Sequence, residues 1–204
     1  MLWGLSDQYY SQHYLQATDR FEVTNHTWYE GPCVAALSQT QFIVAGGKTN
    51  QQGPNINNLR NTDMYDLETN TWTTLPDIPT EFNFAQCGIA QAADGSGPEL
   101  VIAGGVDLNL KTYIYNVQSM TWRQGKDLPI PIKGGASVPY DDSFLIVGGE
   151  TNDWTPRAVN SIYYYNSMGE EWLLRPEKLG EANRYLAAVM VAEDAVNCDF
   201  AENH

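Results

Sequence analysis

Four of the six tryptophans follow an aromatic residue by seven positions: Phe21 to Trp28, Tyr65 to Trp72, Tyr115 to Trp122 and Tyr165 to Trp172. The tryptophans are 44, 50 and 50 residues apart, and each interval holds one glycine pair at the end of an apolar run, at Gly46-Gly47, Gly104-Gly105 and Gly148-Gly149. A period of that size marks a repeat protein, in which each supersecondary unit buries its apolar face only by stacking on the next.

The unit reads as strands. Phe-Ile-Val-Ala, Leu-Val-Ile-Ala and Phe-Leu-Ile-Val, each before a Gly-Gly, are too short for helices and are rich in β-formers. A glycine pair there permits positive φ and close approach of neighbouring backbone. An aromatic strand follows, at Asp63 to Leu67, Thr112 to Val117 and Ser161 to Tyr165, then a polar turn and a strand beginning at Trp. Upstream of each glycine pair lies one more apolar stretch: Cys33 to Leu37, Phe84 to Ala90 and Gly135 to Val138. Four short antiparallel strands per unit of this length are the blade of a β-propeller, with aromatics filling the wedge between blades. Trp122→Ala is therefore expected to cost about 3–5 kcal/mol.

Gly-Gly, then Tyr-x6-Trp, then Leu-Pro at Leu75-Pro76 and Leu128-Pro129 resembles the kelch motif. The resemblance spans about Phe21 to Val191, departs at Arg175-Pro176 and leaves residues 1–20 unmatched. It implies an all-β, kelch-type propeller with three full blades and a half blade at each terminus. The expected division is an arm at 1–20, kelch repeats at 21–200 and a tail at 201–204. Within the repeats, a half blade covers 21–31, blades cover 32–80, 81–131 and 132–182, and an inner strand covers 183–200. An incomplete or open propeller is favoured over one closed by both termini, since kelch propellers usually have six or seven blades. An open arc would expose an apolar, edge-rich face and self-associate.

The formal charge is −14, with eleven basic residues scattered along the chain, which argues against nucleic-acid binding and leaves room for a basic partner. No apolar run approaches the roughly 20 residues of a membrane helix, and no secretory signal stands at the start. Buried free thiols are the default reading of Cys33, Cys87 and Cys198. The sequon Asn25-His26-Thr27 leaves glycosylation open. The balance favours an intracellular protein, with an extracellular longer parent as its rival.

No cofactor is expected. His13, His26 and His204 do not make the paired imidazoles of a copper oxidase, and the six arginines do not recur at one blade position. No nucleophile elbow, phosphate loop or zinc spacing occurs, so no catalytic or metal residues are assigned. Recognition is the better expectation, because the loops after Gly-Gly vary on a constant scaffold. These loops supply Lys48, Asn50, Asp107, Glu150, Asn152, Trp154 and Arg157, with Trp154 the candidate anchor. By resemblance to kelch substrate receptors, Asn83, Phe84, Lys133 and Arg184 lie near the rim where partner peptides bind. The scaffold residues are Gly46, Gly47, Tyr65, Trp72, Gly104, Gly105, Tyr115, Trp122, Gly148, Gly149, Tyr165 and Trp172. The leading function is a non-enzymatic module for a protein or peptide, in the narrowest form a substrate receptor of a ubiquitin ligase. The alternative is a carbohydrate-binding or enzymatic propeller in which Asp107, Glu150 and Asp153 act on a sugar or cation.

Overall fold

The computed structural model describes residues 31–48, 58–107, 109–151, 155 and 157–188. Twelve strands among them form three four-stranded antiparallel sheets, each in simple chain order. The first contains β1 (Cys33–Ala36), β2 (Gln41–Ala45), β3 (Thr62–Asp66) and β4 (Thr71–Leu75). The second contains β5 (Gln86–Gln91), β6 (Pro98–Ala103), β7 (Thr112–Asn116) and β8 (Thr121–Gln124). The third contains β9 (Ala136–Tyr140), β10 (Ser143–Val147), β11 (Val159–Asn166) and β12 (Glu171–Asn183). These are the three full blades expected from the repeat. Residues 1–30 and 189–204, which hold most of the two expected half blades, lie outside the described residues, as do Asn25 and Cys198.

The seven-residue spacing is a hairpin. Tyr65 pairs with Trp72, Tyr115 with Trp122 and Tyr165 with Trp172. Between the partners lie one flanking pair and a four-residue turn, whose last residue takes positive φ at Asn70, Met120 and Glu170. The residue after Tyr stabilises the turn in two units. Asp66 Oδ1 accepts from the Glu68 and Thr69 amides at 2.9 Å each, and Asn116 Oδ1 accepts from Gln118 and Ser119 at 3.0 and 2.8 Å. Each cross-strand pair then stacks at 4.9–5.1 Å between ring centroids.

The apolar run of the second blade is buried on both faces because it lies between the first and third blades. Along β6, Leu100 and Ile102 join Ile43, Ala45 and Tyr115 in one core, while Val101 and Ala103 join Ile114, Phe144 and Ile146 in the other. Tyrosines 65, 115 and 165 are fully buried, as the wedge reading requires. The tryptophans differ. Trp172 is 6 % exposed and donates to Thr112 Oγ1 of the preceding blade at 2.9 Å. Trp122 is half-buried and reaches back to the Pro76 carbonyl at 2.8 Å. The greatest cost of truncation therefore moves from Trp122 to Trp172.

One sequence reading is revised. Cys33 and Cys87 are not free thiols but a disulfide joining β1 to β5, with Cα atoms 5.9 Å apart. The third outer strand has no Leu-Pro to end it and runs thirteen residues, with register shifts against β11.

Candidate functional site

The first and second blades each meet the next through a glycine pair. The second glycine donates its amide to a carbonyl leading into the next inner strand, Gly47 to Phe82 at 2.7 Å and Gly105 to Ile132 at 2.8 Å, and in the third blade Gly149 donates to Asn183, at the end of β12, at 2.8 Å. A Cβ on the first glycine would strike the same carbonyls, 2.6 Å from Phe82 O for Gly46 and 2.8 Å from Asn183 O for Gly148. At Gly46 any side chain would force the first two blades apart.

Just beyond these contacts, one residue per unit adopts positive φ: Gly31, Phe84, Gly134 and Tyr185, spaced 53, 50 and 51 apart. Their main chains form a belt. Phe84 N–H donates to Gly31 O at 2.9 Å, Gly134 N–H to Phe84 O at 3.2 Å and Tyr185 N–H to Gly134 O at 2.7 Å. Glycine alternates with an aromatic, and the reason is space. A Cβ at Gly134 would lie 2.9 Å from the Tyr185 ring, so only glycine lets Phe84 and Tyr185 meet over it, edge to face at 6.0 Å. Tyr185 thus holds the position that precedes an inner strand in the other units.

The belt carries the charged residues of the loop face. Lys133 and Glu150 exchange backbone hydrogen bonds at 3.1 and 2.9 Å, and Lys133 Nζ is 3.4 Å from Glu150 Oε1. Arg184 donates to Glu150 Oε2, and Tyr185 O–H donates to Oε1 at 3.1 Å. Glu150 is only 2 % exposed. Burial pushes its carboxyl up, but hydrogen bonds from Arg184, Tyr185 and Lys133 outweigh burial and hold it below the ordinary carboxylate range. Burial, then the neighbouring Glu150 charge, pushes the Tyr185 phenol up.

Of the expected rim residues, Phe84, Lys133, Glu150 and Arg184 are brought together. Lys48 joins them, with Nζ 6.0 Å from the Phe84 ring centroid. Asn83 is buried at the junction, where its carbonyl accepts from Val106 N–H at 3.0 Å. Asp107 is exposed at positive φ and borders an open polar groove of about 380 Å³ shared with Asn83, Glu81 and Lys111. Arg157 is exposed at the far end of the third loop, its carbonyl bonded to the Thr151 amide at 3.1 Å. Asn50, Asn152, Asp153 and Trp154 lie outside the described residues.

The sequence reading missed Tyr185, because an aromatic residue carries no mark of the positive φ it shares with Gly31, Phe84 and Gly134. Glu150, expected in the alternative reading to act on a sugar or cation, is already engaged by two cations and a phenol. The arrangement offers charged, hydrogen-bonding and aromatic groups on a rigid main-chain belt. No group of three or more His, Cys, Asp or Glu side chains able to hold a metal occurs among the described residues. No helix among them is long and apolar enough to cross a membrane.

A family model for the kelch motif matches residues 31–79. Kelch-like protein terF of Aspergillus terreus is 23 % identical over 190 residues, covering 84 % of this chain and 40 % of that protein. N-acetylneuraminate epimerase of Haemophilus influenzae is 29 % identical over 112 residues, covering 45 % of this chain and 29 % of its own length. Kelch-like protein 41b of Danio rerio is 26 % identical over 110 residues, half of this chain and 16 % of that one. The solved structure of YjhT superposes with a TM-score of 0.55 at 13 % identity, over 72 % of this chain and 53 % of that chain. The chain spans 40 % or less of the length of the curated relatives it matches.

Proposed function

For a chain whose blades are kelch repeats, we propose that the loop face is the recognition surface of a non-enzymatic binding module, and that its partner is a protein or peptide. The observation that carries this reading is the cluster of Lys133, Glu150, Arg184 and Tyr185 beside Phe84, fixed by the backbone belt. Arginine and aromatic side chains on a rigid support are the usual composition of a binding hot spot. Kelch-like relatives support a protein partner over other classes. The net charge of −14 favours a partner that is basic overall, drawn by long-range attraction. At the rim itself Glu150 engages Arg184 and Lys133, so contact there is with a mixed polar surface.

Chemical crosslinking of the intact chain in its own cells, followed by mass spectrometry, tests the proposal. Crosslinked partners should attach through the rim, and Arg184→Glu should abolish them while Lys126→Glu, on an outer strand connection, leaves them unchanged. Equal crosslinking by both variants would refute the loop face as the surface. Substrate recognition for a ubiquitin ligase is the narrower version, and a ligase subunit among the crosslinked proteins tests it.

The second reading is an enzyme or carbohydrate binder, favoured by the match to a protein named N-acetylneuraminate epimerase over 45 % of the chain. Conversion of N-acetylneuraminate, followed by proton NMR with purified chain, would establish this reading in place of the first.

A further inference from the structure

The two bridged cysteines do not occupy the same place in their units. Counted by pairing to the strand before Gly-Gly, Cys33 lies opposite Ala45, the position that Gln86 holds opposite Ala103 and Ala136 holds opposite Val147. Cys87 lies one residue further on, opposite Ile102. Successive strand residues point to opposite faces of a sheet, so this one-residue offset aims Cys33 from the first blade and Cys87 from the second into the core between them. Cysteines serving merely as small core residues would need no such offset. Both are 4 % exposed, and their 5.9 Å Cα separation suits a bridge.

A persistent bridge of this kind belongs to an oxidising compartment, since cytosolic thiols are kept reduced.

We propose that this chain matures in an oxidising compartment, where Cys33 and Cys87 are joined. Each thiol gives up a proton, and two electrons pass to the disulfide of a dithiol oxidoreductase, which leaves as the dithiol. The bridge brackets the Gly31 to Phe84 hydrogen bond of the belt, two residues beyond one partner and three beyond the other, so it locks the first blade junction at the loop face.

The test is peptide mapping of the full chain recovered from its own cells, with thiols alkylated at lysis before any reduction. The expected map contains a linked peptide pair holding Cys33 and Cys87, which separates into two peptides on reduction. Alkylated Cys33 and Cys87 in unreduced protein would overturn the compartment assignment.

Discussion

Glu150 shows how one side chain joins site and scaffold. Its carboxylate is buried at the loop face of the third blade only because Arg184, Tyr185 and Lys133 satisfy it. Glu150→Gln should lower stability at neutral pH by about 1.5–3 kcal/mol, the range for hydrogen bonds to a charged group. The pH dependence follows from the direction of the shift. The carboxyl is held below its ordinary value of 4.5 in the folded state, so its contribution is full above that value and disappears as pH falls through the lower, folded one. Urea titrations of wild type and Glu150→Gln should diverge at neutral pH and converge in acid. Parallel curves at every pH would mean the carboxylate is not stabilised by its partners. This cluster was not legible in the sequence because Lys133, Glu150 and Arg184 come from connections of different strands. Only the αL geometry of the belt, which composition does not encode, brings them to one place.

Among elements, the hairpin was the most legible because it is local. Tyr and Trp seven apart, with a turn-former after the tyrosine, specify a four-residue turn and a cross-strand aromatic pair without reference to any other unit. What the hairpin touches is not local. The tryptophans look alike in sequence, yet Trp172 is buried on the second blade while Trp122 is half-exposed against the first. Trp172→Ala should cost about 3–5 kcal/mol, and Trp122→Ala less. Denaturant unfolding of the two variants checks the order, and a larger loss at Trp122 would reverse the assignment of the wedge. The inner strands were legible as apolar runs, but the disulfide was not. A one-residue change of register decides whether two cysteines face each other or turn away, and the strand boundaries read from sequence differ from those of β1, β5 and β9 by as much as two residues.

For the whole molecule, three blades held by two junctions make a nearly one-dimensional stack, in which stability is a sum of units and contacts. The junctions are fastened differently. The first has the Cys33–Cys87 bridge; the second has Trp172 on Thr112 and Arg123 shared between Glu99 and Glu170 at 2.7–2.8 Å. With its cysteines 54 positions apart, the bridge should contribute about 4 kcal/mol on the chain-entropy account. Reduction, or the double change Cys33→Ser and Cys87→Ser, should therefore raise amide exchange in β1 to β4 well before β9 to β12. Uniform acceleration across all three blades would show that the junctions do not act separately.

The belt has one further consequence, for how such a chain diversifies. Its links are amide to carbonyl, and its spacing is set by glycines, so the fit between blades is largely indifferent to which side chains decorate the loops above. Mutation can redraw the loop face while the frame beneath stays in register, which separates the inheritance of architecture from the inheritance of specificity.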